Sequence, residues 1–479
     1  MKVKHLFFVL FAAVSLGSCS NDDSLTEGNT PPIGGGLATS KALSYASIYA
    51  DANCKTPIIE NTPLTSATTQ VDFALSYGLN DVYVKYPTAK GYKVMQVAVT
   101  SENAAKKMKG TEIENSEVYE ATHAVSATIV LPEDAVKEYV TNSDGYTNYH
   151  SSGVVMFDDS WPYNVAGIDN DFNDLVVDYD LEATTIDKAD TLNTWREDLK
   201  VVMHVRAKGG GFAAGFGLLL EDFEDTFIDK DDIDIRVSQG NWGAVTKDGI
   251  TAKVEWNENS NGGRSPIIYI NDLYKLINPK SAKENGLTLG TKHHFYNVEN
   301  DESLNVTKGL FTVTVTFRAK DRKNLSLEEG KKQLAAYQKV VMDTQKQNFF
   351  LVTKQKEKNP TNNKEEMMTY EVHMKNYAPT ASYEAKYEAD RSKGVAKDPT
   401  NSYCAIDGFV WGFKVPVLTR HAVEKANFHT AYPQYAEWVT SNGSKNADWY
   451  KSPNQELTEK PILFNGKMRK VLKYISEEW

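Results

Sequence analysis

Cysteine is scarce in this 479-residue chain: Cys19, Cys54 and Cys404 are the whole complement, and none of them sits at a metal-ligand spacing. No run of 18 apolar residues follows the N-terminal segment, so no transmembrane helix is expected there. Basic residues are in deficit, 53 Lys and Arg against 64 Asp and Glu, for a formal charge of −11. With no basic stripe interleaved with aromatics, that balance excludes nucleic acid and leaves cations or neutral ligands as partners. Also missing are an H-E-x-x-H helix, a G-x-S-x-G elbow, a P-loop and any repeat of fixed period, so the chain is expected not to be an enzyme. What remains is the composition of a folded protein, 41% hydrophobic, 11% aromatic and 24% charged, long enough for two or three domains.

Residues 1–19 carry Lys2 and Lys4, an apolar run from Leu6 to Leu16, and then Gly17-Ser18-Cys19. The run is too short to span a bilayer core of about 30 Å and reads as an export signal over 1–18. Its ending resembles the lipobox of bacterial lipoproteins, which makes Cys19 the expected lipidation site and the lipid the sole membrane anchor. Residues 19–37, with Asp22-Asp23, Pro31-Pro32 and three consecutive glycines, cannot bury apolar area and read as a flexible tether. Acidic residues just after the cysteine resemble a surface-export signal. The expected location is therefore the outer membrane, facing the cell surface, with a periplasm-facing orientation as the alternative. In an oxidising compartment Cys54 and Cys404 are either a disulfide or two buried thiols.

The body reads as mainly β: antiparallel sheets in a sandwich or jelly-roll-like arrangement over 146–479, preceded by a smaller β-rich region over 38–145. Alternation is clear in Lys200–Arg206 and in Phe311–Phe317, where threonines take one face. One or two inserted helices are expected. Ser326-Leu327-Glu328-Glu329 forms a capping box for a helix running to about Gln347, and a shorter helix spans Tyr432 to Val439. Gly209-x-Gly211-x-x-Ala214 follows a strand, but Gly215–Leu220 reads as another strand, so a glycine-rich hairpin is expected rather than a dinucleotide site. A second acidic run, Glu221–Asp234, reads as a solvated loop entering a strand. The pair His293-His294 is a poor bidentate site, because strand neighbours point to opposite faces.

The chemical signal lies between Phe157 and Asp180. From Glu138 to Asp187 there are eleven Asp or Glu residues and no Lys or Arg. Unit charges about 4 Å apart repel by roughly 4 kcal/mol at an effective dielectric near 20, so the loop needs a cation, raised pKa values or full hydration. The donors are hard oxygens without His or Cys, which favours Ca²⁺. Asp159, Asp169, Asp171, Asn173 and Asp174 are the candidate ligands, with Asp158 and Asp178 secondary. An EF-hand is excluded: Asp174 stands where its glycine should be, and Leu175–Tyr179 is a strand pattern. Leu175, Val177, Tyr179 and Leu181 share one face of that strand, while Asp174, Asp178 and Asp180 share the other. The alternative is a solvated loop of Asx-turns.

Asp159-Ser160-Trp161-Pro162 and Asp171-Phe172-Asn173-Asp174-Leu175-Val176-Val177-Asp178-Tyr179 resemble the hallmark of LruC-domain proteins, a family of exported bacterial lipoproteins. Asp158 stands where the family has glutamate. Arg206–Gly211 with Gly215–Gly217, Gly408–Pro416, Ala431–Trp438 and Asp448-Trp449-Tyr450 fit in the same order. The resemblance covers about 150–450 and implies a β-rich exported lipoprotein with a calcium-binding acidic loop, in a family without a settled activity; the role expected from the anchor and the loop together is structural, adhesive or ligand-binding, toward a glycan or protein at the surface. The competing expectations are a carbohydrate-binding or carbohydrate-active protein, with Trp161, Trp411, Trp438 and Trp449 as a stacking platform or as core, and a surface fibre subunit.

Overall fold

The computed structural model describes residues 44–458 except 65, 102–118, 136–145, 164–169, 187–197, 239–249, 274–310, 322–324, 359–362, 395–396 and 418, together with two short strands at Leu463–Phe464 and Lys467–Met468. The signal, the tether with Cys19, Asp169 and the His293-His294 pair lie outside the described residues.

Six strands come first: β1 (Ser44–Tyr49), β2 (Pro57–Leu64), β3 (Thr68–Ser76), β4 (Asp81–Thr88), β5 (Gly91–Ser101) and β6 (Thr122–Val130). There follow β7 (Tyr146–Phe157), β8 (Leu175–Ile186), β9 (Asp198–Ala207), β10 (Ala213–Leu220), β11 (Ile228–Ser238), β12 (Thr251–Glu258), β13 (Arg264–Asn271) and β14 (Phe311–Ala319). After helix α1 (Leu327–Met342) come β15 (Gln347–Lys358), β16 (Glu365–His373), helix α2 (Ala381–Arg391), β17 (Gly412–Val415) and helix α3 (Pro433–Thr440).

The strands form a 12-stranded sheet, ordered β11-β14-β9-β8-β7-β2-β1-β4-β5-β6-β3 with β17 also on β7, and a 5-stranded sheet, β12-β13-β10-β15-β16. The pairings are antiparallel, as the alternating sequence patterns require. Leu199, Val201, Met203 and Val205 of β9 and Phe311, Val313, Val315 and Phe317 of β14 turn one face inward. They meet Phe216, Leu218 and Leu220 of the smaller sheet in a single core. The mainly β sandwich expected from the sequence is what forms. The first six strands carry a hydrophobic cluster of their own, with Ile48, Phe73, Val82 and Val84, and β2 pairs with β7 through Ile59 and Glu60, so one sheet runs through both regions.

Helix α1 has the expected cap, with the Ser326 hydroxyl accepting from Glu329 N–H and the Glu329 carboxylate accepting from Ser326 N–H. It places Tyr337, Val340 and Val341 in the sandwich core. It stops at Met342 rather than near Gln347, because a tight turn at Thr344–Lys346 redirects the chain into β15. The second helix occurs at Pro433–Thr440. Helix α2 was not anticipated; it buries Tyr383, Tyr387 and Asp390 along one side.

The opposite face of β7 to β9 is covered too. Val154, Met156, Val176 and Ala207 pack against a C-terminal cap containing Phe413, Phe428, Tyr432, Tyr435 and Trp449. A buried ion pair fastens the N-terminal strands to this body. Lys414 on β17 donates to Glu120 Oε2 at 3.0 Å, to the Thr344 carbonyl at 2.7 Å and to the Tyr377 hydroxyl. Burial pulls the Lys414 ammonium below its ordinary pKa, and Glu120 opposes that shift. Removing one member strands a buried charge, so Glu120→Ala is expected to cost about 3–5 kcal/mol in urea unfolding. The double variant Glu120→Gln/Lys414→Met is expected to recover most of that loss.

Candidate functional site

The acidic segment is the connection of a hairpin. Strands β7 and β8 pair out to Phe157 and Leu175, and residues 158–174 leave from that end. Three distant pieces of chain close over it. Asp158 N–H donates to the Trp411 carbonyl at 2.9 Å, and Trp411 Nε1 donates to Ser160 Oγ at 3.1 Å. Gln355 of β15 donates through Nε2 to the carbonyls of Asp159 (3.2 Å) and Trp161 (2.8 Å). From the cap, Lys425 N–H donates to Asp171 Oδ2 at 2.8 Å and Phe428 N–H to the Asn170 carbonyl at 3.0 Å. Asn173 Nδ2 donates back to the Ala422 carbonyl at 3.1 Å.

The carboxylates accept backbone N–H groups. Asp159 Oδ2 takes Phe212 N–H at 2.7 Å and Ala213 N–H at 3.0 Å, and Asp174 Oδ2 takes Asp159 N–H at 2.7 Å. Asp158 Oδ1 caps Ser160 N–H, and Asp171 Oδ1 caps Asn173 N–H. Phe172 holds φ at 54°, a costly conformation for a bulky residue, about 1–3 kcal/mol. Its ring is fixed against Phe409, Phe413 and Phe428, which offsets that strain and sets the backbone on which Asp171 and Asn173 stand.

A cation enters the group. Lys208, at the end of β9, is buried, donates to the Gly210 carbonyl and interacts with Asp159 and Asp174. Burial depresses its pKa, and the two carboxylates oppose that. Asp159 is raised by burial against the pull of the Phe212 N–H and Lys208. Asp174 is raised well above the ordinary carboxylate range, first by burial and then by the charges of Asp159, Asp158 and Asp171. Lys208 thus sits with Asp159 and Asp174, while Asp158 and Asp171 add their repulsion at Asp174. Among the described residues the side-chain oxygens of Asn170 and Asn173 have no hydrogen-bond partner, and that of Asn173 lies against Gly209.

Of the candidate ligands, Asp158, Asp159, Asp171, Asn173 and Asp174 come together, and Asp169 lies outside the described residues. Among the described residues no group of three His, Cys, Asp or Glu side chains is arranged to hold a metal ion. Asp178 belongs elsewhere: Arg206 grips both its oxygens, through Nε at 2.8 Å and through Nη2. Burial still raises the Asp178 carboxyl, with Arg206 opposing. Its face of β8, opposite Leu175, Val177, Tyr179 and Leu181, lies under the C-terminal cap. Cys54 and Cys404 are free thiols, Cys54 in the turn between β1 and β2 and Cys404 buried in the cap cluster, so the disulfide alternative is not realised. The four tryptophans are core residues, none more than 4% exposed, and provide no stacking platform.

The expected glycine-rich hairpin is a correction. Strand β9 belongs to the large sheet and β10 to the small one, so residues 208–212 cross between sheets. Their glycines serve the acidic connection. A Cβ on Gly209 would fall within 3.0 Å of Asn173 Oδ1, and one on Gly210 within 3.0 Å of Asp159 Oδ2; Gly211 faces open space. Lys208 and this glycine floor lie beyond β9 in sequence, so the charge pattern of Phe157–Asp180 does not point to them. The run Lys208-Gly209-Gly210-Gly211 was the available signal. The second acidic run is partly buried as well, with Asp225 held by Lys230 and by Arg264 at 2.7 Å.

Residues 197–450 match the family described as Domain of unknown function (DUF4842), and the chain belongs to that family. The solved structures include a similar one, the crystal structure of a "Putative lipoprotein from Bacteroides ovatus". It is 26% identical, with a TM-score of 0.68, over 88% of this chain and 100% of that one. No curated protein matches. The acidic connection precedes the matched residues, whereas Lys208, the glycine floor and the cap that close it lie within them.

The glycine pair gives a direct test. Gly210→Ala is expected to destabilise the fold by about 1–3 kcal/mol through overpacking against Asp159. Gly211→Ala is expected to stay within about 0.5 kcal/mol of wild type in the same urea titration.

Proposed function

We propose that the chain is a lipid-anchored protein of the bacterial outer envelope with a structural or ligand-binding role and no catalysis. In this reading the acidic connection is a clasp completed by Ca²⁺, joining the end of the β7–β8 hairpin to the sheet crossover and the cap. The lipid anchor rests on the Leu16-Gly17-Ser18-Cys19 pattern together with the lipoprotein description of the similar structure. Surface exposure rests on the acidic residues that follow Cys19, and the LruC-like motif set supports the same class.

The observation that carries the calcium reading is the convergence of Asp158, Asp159 and Asp171 on Asp174, whose carboxyl their charges raise, beside the Asn173 side-chain oxygen, unpaired among the described residues. Asp159, Asp174 and Asn173 would hold the ion, with Asp158, Asp171 and Asp169 adding charge. Asp159 Oδ2 already accepts two N–H groups, so its Oδ1 would coordinate the ion, whereas Asp174 Oδ2 retains a second lone pair. Bound calcium would supply positive charge and oxygen coordination where the chain buries negative charge. The carbohydrate alternative is weakened, because its proposed tryptophans are buried.

Calorimetry and thermal melting of the purified protein, in calcium and in chelator, test this reading. Wild type is expected to gain about 2.7 kcal/mol at calcium a hundredfold above Kd. Asp174→Asn keeps an acceptor for Asp159 N–H but removes a charge. It is expected to be more stable than wild type in chelator, by roughly 1.4 kcal/mol for each unit of pKa displacement, and to lose the calcium response. A wild type whose melting is the same in calcium and chelator contradicts the metal reading.

A further inference from the structure

A cleft of about 440 Å³ opens between the N-terminal strands and the C-terminal segment. Its origin is visible in the strand register. On one edge of β7, β2 pairs with Asn148 and Tyr149, while β17 pairs with Val154 to Phe157. Residues 150–153 therefore have no strand partner on that edge, and His150, Ser151 and Ser152 line the cleft. Backbone polar groups on a bare sheet edge retain hydrogen-bonding capacity. The volume is in the range of small-molecule sites, about 300–1,000 Å³.

The cleft has a charge opposite to that of the chain. Arg420 and Lys451 both line it, and neither is ion-paired among the described residues. Arg420 donates through Nη1 to Gln455 Oε1 at 2.6 Å, which orients the guanidinium and leaves its other donors available. The lining carboxylate of Asp51 is committed to its own turn, accepting N–H from Asn53 (2.9 Å), Lys55 (3.0 Å) and Thr56 (2.7 Å). Ile58, Leu75 and Leu79 give the opposite wall an apolar surface. The walls are held apart by built contacts: the Tyr450 hydroxyl donates to the Tyr77 carbonyl at 3.0 Å, and Tyr77 packs on Trp438 at 5.1 Å. The buried Lys414–Glu120 pair adds a further tie between the two regions.

We propose that this cleft binds a small organic anion, with its acidic group at Arg420 and Lys451 and its apolar body on Ile58, Leu75 and Leu79. A planar guanidinium with free donors suits a carboxylate, and the bare β7 edge supplies additional hydrogen bonds. The proposal is independent of the calcium reading.

Titration calorimetry of the purified protein in chelator, with 2-naphthoate and its neutral counterpart 2-naphthamide, separates the outcomes. Naphthoate is expected to bind at least about tenfold more tightly than the amide, the factor one charge-assisted hydrogen bond provides. Arg420→Gln is expected to remove that preference and Lys451→Gln to reduce it, both with unchanged melting temperatures. Equal affinity for acid and amide, no heat with naphthoate at millimolar concentration, or full affinity in a folded Arg420→Gln variant would each overturn it.

Discussion

Burying negative charge at the end of the β7–β8 hairpin is the constraint around which the rest of this molecule is arranged. Asp158, Asp159, Asp171 and Asp174 are brought within electrostatic reach of one another at a point closed by the sheet crossover, β15 and the cap. A buried carboxylate is tolerable only if N–H groups or cations replace its water. The chain does this mainly with backbone: Asp159 fastens the start of β10, and Asp171 fastens the cap at Lys425. The carboxylates thus work as stitches between segments distant in sequence. The proposed calcium ion would add positive charge at the same point.

The same arrangement explains why the central strands are buried on both faces. With the small sheet on one side and the cap on the other, β8 carries Tyr179 and Leu181 into one core and Val176 into the other. Polar groups on the capped face must then pair internally, and Arg206 does so by holding Asp178 while donating to the Thr419 carbonyl. The N-terminal strands extend the same sheet, and the cleft at Arg420 lies where that extension and the cap diverge on β7.

Local signals in the sequence carried much of the fold. Period-two alternation located β8, β9 and β14, and the Ser326–Glu329 box located the start of α1 to the residue. The acidic cluster was legible as a place where something must neutralise charge. Its neighbours were not, because they depend on tertiary topology. Nothing local says that residues 208–212 cross between sheets beneath Asn173 and Asp159, or that residues near 425 return to cap Asp171. The inward burial of Asp178 was illegible for the same reason, since a strand pattern distinguishes two faces but not what covers the second. The spacing of Tyr383, Tyr387 and Asp390 in α2 was a helical signal that a strand-dominated reading passed over.

The claim that matters most is that a divalent ion completes the acidic clasp. The most direct measurement is an anomalous difference map from crystals grown with calcium and then with manganese in its place. The account predicts one peak with oxygens of Asp159, Asp174 and Asn173 at about 2.3–2.6 Å in the calcium crystals. A map with no peak there, and with the Lys208 ammonium alone among the carboxylates, would contradict it.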